Sequence, residues 1–366
     1  MSGPLAREGI HRIKGHMLVE TIADLPPVSI ALNSNESAFG PSPHAVAAAR
    51  AAVTGIERYY EAPHRTLAPA IAQRYGLDET RIAIGQGSDD LLARLARAYL
   101  PAGSEMLRSV NGYLKAPNYA HANDAIPIAA ADRNFQPSVD AMLAALSDRT
   151  SMVYIANPEN PAGSYLSGRE IRRLHAALPD HVLLVLDCAY EDYADAPDYE
   201  PGRKLVEAAD NVVMARTFSK IFGLAGARIG WMYGTPSMVD MVNRIGSTFP
   251  VSSPSIAAAV AALADRAHTD HVRRETIRQR HRVSRCLAGL GLKVYPSQTN
   301  FLLMKFPDPA FTAEAACDFL RRRGIALRRF AAPAYADCVR ITLGRESELN
   351  AAIRALAAFL ERETDV

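Results

Sequence analysis

The sequence predicts an α/β protein, with a mostly parallel central sheet in a large domain and a smaller α+β domain at the C-terminal end. Three observations lead there. From about residue 81, short β-rich runs alternate with amphipathic helical stretches, the pattern of strands joined by covering helices. Several of those runs are apolar on both faces, as interior parallel strands are. After about residue 254 the alternation gives way to helices followed by a few short strands.

Taken in order, the first 35 or so residues are an arm rather than a domain. Residues 36–253 are assigned to the large domain and 254–366 to the small one. RIAI (81–84) reads as a strand, and SDDLLARLARAYL (88–100) as a helix capped by Ser88 with Asp89 and Asp90 in its first turn. MVYIAN (152–157) is strand-like, and Ser167 to Glu170 forms a capping box for the next helix. VLLVLD (182–187) reads as an interior parallel strand, and NVVMA (211–215) and RIGWMY (228–233) resemble it. Beyond 254, two helical stretches lead to NFLLMKF (300–306), the helix AEAACDFLRRR, the runs IALRRF and CVRITLG, and a last helix from about 346.

At 366 residues the chain can bury a large core. Apolar residues at 49% and charged residues at 22% are ordinary for a soluble enzyme. A net charge of +2 with interspersed signs gives no basic stripe, which argues against a nucleic-acid partner. Four cysteines, Cys188, Cys286, Cys317 and Cys338, lack CxxC spacing and fit a reducing cytoplasm. No apolar run reaches the roughly 18 residues of a membrane span. The start, MSGPLAREGIHRIKGHML, lacks a secretory core. Ten histidines show no HExxH spacing, so no metal site is expected.

The segment TFSKIFGLAGARIG (217–230) is the most informative. Lys220 follows Thr217 and Ser219, and Gly226 and Arg228 come six and eight residues later. A lysine that forms a Schiff base with an aldehyde cofactor needs hydroxyls and a guanidinium to hold a phosphate, and small residues for close approach. The bland alternative is a surface loop with a solvated lysine. In IGQGSDDLL (84–92), backbone N–H groups at Gly87, Ser88 and Asp89 face an anion at a helix start, although glycine turns before helices are common. ANPENPAG (156–163) places Asn160 just past a strand end, where α/β sheets bind ligands, unless it is a plain turn. Asp187 ends an apolar strand, where a protonated pyridine nitrogen would compensate its charge, and Tyr190 lies three residues on; otherwise Asp187 is only a helix cap. Arg328 and Arg340 lie twelve residues apart at the ends of two β-rich runs; if those runs pair, both guanidiniums can converge on one anion.

Together these segments resemble the fold type I pyridoxal-5′-phosphate enzymes, and within them the class I/II aminotransferases. LNSNESAFGPSP (32–43), RYY (58–60), NPENPAG, the Lys220 segment, TNF (299–301) and VRITLG (339–344) are similar to histidinol-phosphate aminotransferases. The resemblance covers roughly residues 30–350. It implies that Lys220 carries pyridoxal 5′-phosphate and moves the α-proton, that Asp187 pairs with the pyridine nitrogen, and that Asn160 and Tyr190 bond the ring hydroxyl. Gly87, Ser88, Asp89, Thr217, Ser219 and Arg228 would form the phosphate site. Tyr113 would stack on the ring, with Tyr119 as competitor. Tyr59 would reach the neighbouring subunit's phosphate, which implies a homodimer with shared sites. Arg328, Arg340 and Asn35 would bind substrate, a small-molecule amino donor or its 2-oxo-acid partner.

Ser37 and Ala38 stand where the family has Asn-Pro, Ala162 where threonine is common, Cys188 for the usual glutamate and Tyr60 for the usual proline. None of these departures removes a catalytic group; the first and last lie near where substrate and dimer partner meet and bear on substrate identity rather than on the chemistry. Histidinol phosphate with 2-oxoglutarate is the leading substrate pair. An aromatic or other amino-acid aminotransferase, or a decarboxylase of a phosphorylated amino acid, is the alternative. A cofactor-sensing transcription regulator is disfavoured, since only about 30 residues precede the first motif and they carry no helix-turn-helix pattern.

Overall fold

The computed structural model describes residues 3–13, 26–59 and 63–361; Tyr60 lies outside them. A seven-stranded sheet runs from edge to edge as Ile82–Gly85, Gly230–Tyr233, Val212–Thr217, Leu183–Asp187, Thr150–Ala156, Glu105–Ser109 and Ile126–Ala130. Gly230–Tyr233 is antiparallel to both neighbours, and every other pairing is parallel. The expectation that RIGWMY is a parallel strand is therefore corrected. It returns directly from the Lys220 loop and so must run against the strand it left. Its residue Arg228 is not in the strand but left-handed, at φ 50°.

Why the interior strands are uniformly apolar is visible in how they divide their side chains. Successive residues of a strand point to opposite faces. Leu184, Leu186, Val153, Ile155, Val212 and Met214 join one apolar cluster. Leu183, Val185, Met152, Tyr154, Val213 and Ala215 join the cluster on the other face. Each Leu or Val so buried contributes about 1.5–3 kcal/mol, so both layers must stay covered. The helix Ser88–Tyr99 does this on one side with Leu91, Leu92 and Leu95. Its N-cap is Gly87, at φ 89°, and not Ser88 as expected; Ser88 is the first helical residue. At Gly168–Ala176 the Ser167 side chain caps the Glu170 N–H as predicted, but the Glu170 carboxylate turns to Arg173 instead of completing the box.

The C-terminal unit is a three-stranded antiparallel sheet, Lys293–Val294, Phe301–Lys305 and Cys338–Thr342. The helices Ala313–Arg321 and Glu346–Leu360 share its core. Ser253–Ala264 packs instead on Pro43–Ala52 and Pro63–Tyr75, so by packing it goes with the larger unit. The N-terminal segment is tied to the smaller one: Ile30–Ala31 pairs in parallel with Ile325–Ala326, and Leu32 lies in that core. From the long helix Arg266–Gly289, Arg273 donates to the carbonyls of Asp192 and Ala194, and Arg280 to that of Tyr193. Among the described residues, no helix is long and apolar enough to cross a membrane.

Candidate active site

Parallel strands end at the same edge, and that edge gathers the predicted residues. Leu183–Asp187 ends on Asp187, Thr150–Ala156 leads into Asn160, Val212–Thr217 leads into Lys220, and Glu105–Ser109 leads into Tyr113. Gly230 begins its antiparallel strand at this edge, opposite Gly85 and Thr217.

At one end of the row the backbones come very close. A Cβ on Gly230 would lie 2.6 Å from both the Gly87 carbonyl carbon and the Ser88 nitrogen, and a Cβ on Gly87 would lie 2.7 Å from Arg228 Nη2. A side chain on Gly230 would run into backbone, and one on Gly87 would need a φ of 89°, which L residues rarely adopt. The helix that starts at Ser88 has no side-chain cap, so its first N–H groups remain available, with the helix dipole behind them. Arg228 donates to Ser219 Oγ at 3.4 Å, and Thr217 Oγ1 accepts from the Ser219 N–H at 3.0 Å. Uncapped N–H groups, two hydroxyls and a guanidinium could hold a phosphate here. Asp89 contributes its backbone position only. Its carboxylate is taken up by other side chains, accepting from Tyr119 at 2.5 Å, Tyr113 at 3.3 Å and Lys115 at 2.7 Å.

Asp187 is buried, and Oδ2 accepts the Tyr154 hydroxyl at 2.7 Å while Oδ1 accepts the Ala189 N–H at 3.2 Å. Burial pushes its carboxyl up to about 6, against the Tyr154 bond, which favours the anion; the Asp89 charge adds to the rise. A cationic ring nitrogen beside Asp187 would reverse that cost. Lys220 Nζ is 5.7 Å from the centre of the Tyr190 ring and 3.4 Å from the Ser34 carbonyl. Cys188 joins the apolar cluster of Leu184 and Leu186, and burial pushes its thiol well up.

Tyr190 and Asn160 are hydrogen-bonded to different partners. Tyr190 Oη accepts from Asn35 Nδ2 at 3.0 Å, and Asn160 Oδ1 accepts from Arg340 Nη1 at 2.6 Å. Asn35, at φ 55°, is fixed by Thr342 and by Asn300, which donates to its carbonyl. Arg340 and Arg328 are direct antiparallel partners, bonded through both backbones at 2.9 and 3.0 Å. Arg340 is buried, its Nε has no partner, and burial lowers it to about 10, so it stays charged at neutral pH. The Arg328 guanidinium lies 5.9 Å from the Phe330 ring centre.

Tyr59 stands apart: it is 76% exposed and stacks on Phe249 at 4.0 Å. Among the departures, Ala162 is buried beside Tyr295, Leu303 and Tyr335, and the Ser37 hydroxyl is buried without a partner. The Ala38 carbonyl accepts from Arg345. Tyr154, Glu159, Thr342 and Asn300 hold the site together and were not foreseen. Glu159 had a signal, an acid between Pro158 and Pro161 in a loop whose other polar side chains are the amides of Asn157 and Asn160; Tyr154 needed the strand register.

Fold and site match one family. Its model, aminotransferase class I and II, spans residues 27–356, and the chain belongs to that family. The more specific likeness is to histidinol-phosphate aminotransferases. One from Rhodospirillum centenum is 45% identical over 361 residues, 99% of this chain and 100% of that protein. One from Granulibacter bethesdensis is 42% identical over 98% of this chain and 97% of its own. The crystal structure of histidinol-phosphate aminotransferase from Sinorhizobium meliloti in complex with pyridoxal-5′-phosphate superposes with a TM-score of 0.86 at 31% identity, over 95% of this chain and 99% of that one.

The raised Asp187 carboxyl sets a pH dependence in protein stripped of cofactor. Its folded pKa of about 6 lies above the ordinary 3.8, so the folded state binds the extra proton. Stability from this group is complete below about pH 4 and is lost as pH rises to about 6, by about 3 kcal/mol. Urea unfolding of Asp187→Asn should lack this decline. An unchanged pH slope in the variant would assign the titration elsewhere.

Proposed function

We propose that this protein is a pyridoxal 5′-phosphate-dependent aminotransferase that moves the amino group of histidinol phosphate to 2-oxoglutarate, a step of histidine biosynthesis in the cytoplasm. The observation that carries the substrate reading is the Arg328–Arg340 pair. Arg340 keeps its charge although it is buried with an unpartnered Nε, and a second arginine lies directly opposite. A buried cation left without an anion is expensive, so the site suits an anionic substrate. Two arginines suit a dianionic phosphate, and the same pair can accept the carboxylates of glutamate in the second half of the reaction. The relatives named for this activity, similar over almost the whole chain, support the reading.

The residues at the strand ends fit the cofactor. When bound, it supplies an electron sink for the bond broken at the substrate's amine-bearing carbon. Lys220 would hold the cofactor's aldehyde carbon and, once displaced by substrate amine, take and return the proton at that carbon. Asp187 would accept a hydrogen bond from the ring nitrogen and keep it protonated. Tyr190 and Asn160 would bond the ring hydroxyl, Tyr113 would cover the ring face, and the Ser88 helix start with Thr217, Ser219 and Arg228 would bind the phosphate. Asn160 touches Arg340, so substrate anchoring and cofactor orientation share a residue.

We read the working form as a homodimer. Tyr59 and Phe249 form an exposed stacked pair, and Val53 and Ile56 on the same segment are exposed too, a surface suited to a second copy of the chain. Sedimentation should give a dimer. Adding inactive Lys220→Ala subunits to Tyr59→Phe protein should raise activity, because each mixed dimer regains one native site. Simple dilution of activity would remove Tyr59 from the partner's site.

Borohydride reduction of the loaded protein should attach the cofactor to the peptide containing Lys220, and Lys220→Ala should stay folded but lose turnover. Label on any other lysine would overturn the assignment. For the arginines, Arg340→Ala should raise KM for both substrates, whereas Arg328→Ala should harm the phosphorylated one more. The cost in kcat/KM should be about 1.5–3 kcal/mol, roughly 10- to 150-fold. Wild-type preference for phenylalanine or tyrosine over histidinol phosphate would instead make this an aromatic aminotransferase with Arg340 as its carboxylate anchor.

A further inference from the structure

One buried acid at the strand-end edge has no part in the reaction above. Glu159 is 2% exposed. Its Oε1 accepts two backbone N–H groups, from Tyr113 and from Asn160, each at 2.9 Å. The other oxygen lies against the neighbouring loop: a Cβ built on Gly112 would be 2.7 Å from Oε2. The backbone of Glu159 is itself held at both ends, its N–H on the Ser164 carbonyl at 2.7 Å and its carbonyl on the Gly163 N–H at 2.9 Å. The acid is thus a fixed post, and two loops that follow different strands hang on one oxygen of it. The charges around it are Arg108, which favours the anion, and Asp187, which opposes it.

We propose that Glu159 is a positioning residue that sets Tyr113 and Asn160 relative to each other, and through them the tilt of the cofactor ring. The proposal rests on the placement of those two residues at the cofactor described above. Neither N–H bond requires a charge on Glu159. Burial pushes the carboxyl up to about 8, so at neutral pH it is mostly the neutral acid, which an amide can replace. Glutamine keeps a carbonyl oxygen where both N–H groups point. Alanine removes the acceptor, and aspartate withdraws it by one methylene.

The test uses the loaded enzyme and reads the Kd for pyridoxal 5′-phosphate and the visible circular dichroism of the bound cofactor. Glu159→Ala should raise Kd by about tenfold or more and change the dichroism, since two buried donors lose their acceptor. Glu159→Gln should restore both to near wild type, and Glu159→Asp should alter the dichroism. Should Glu159→Ala not fold, the contrast between Glu159→Asp and Glu159→Gln decides. Wild-type Kd and dichroism in Glu159→Ala, or in Glu159→Asp where alanine does not fold, would overturn the proposal. So would Glu159→Gln as impaired as alanine. Asn160→Ala and Tyr113→Ala serve as controls. If they leave the dichroism intact, the placement of those residues is wrong and the proposal falls with it; if they change it and Glu159→Ala does not, only the proposal falls.

Discussion

A carboxylate at the end of a strand covered on both faces is the constraint on which the rest of the site depends. Asp187 follows five buried apolar residues, Val182 to Leu186, so water cannot reach it freely, and its neighbours must supply what water would. Tyr154 and the Ala189 N–H supply part, and the remaining deficit appears as a carboxyl raised to about 6. A cationic ring nitrogen would complete the set.

The opposite imbalance stands across the site. Arg340 is a buried cation with an unpartnered nitrogen, its backbone locked to Arg328 and its guanidinium to Asn160 and the Asn33 carbonyl. A substrate that brought an anion to Arg340 would meet a cation already held in place by Asn160 and the Asn33 carbonyl. Such prior orientation is where much of an enzyme's electrostatic advantage arises, because nothing has to reorganise when charge develops.

How much of this was legible depended on whether the information was local. VLLVLD reads as an interior strand because every position must meet an apolar layer, and the Lys220 segment reads as a site because its hydroxyls, glycine and arginine crowd into fourteen residues. Arg328 and Arg340 were expected to converge if their strands paired, and they pair directly. The direction of Gly230–Tyr233 was not legible, since a short apolar strand looks the same either way round. Nor was the cap at Gly87: Ser88 is the better capping residue, but only glycine admits the φ of 89° and the approach of Arg228. Tyr154 reaches Asp187 through a register between strands that no single-chain pattern encodes.

The two-sided strand has one more outcome. Asp187 and Cys188 are adjacent in the chain, yet the pleat sends their side chains into different layers, one toward the site and the other toward Gly202 and the helices behind the sheet. Neighbours in sequence are thereby strangers in space. Cys188 packs against Gly202, and Glu191, Arg216 and Asp187 all act on its thiol. Tyr190, two residues further on, joins the same cluster as Cys188, so the separation made by the pleat holds only at the strand end itself.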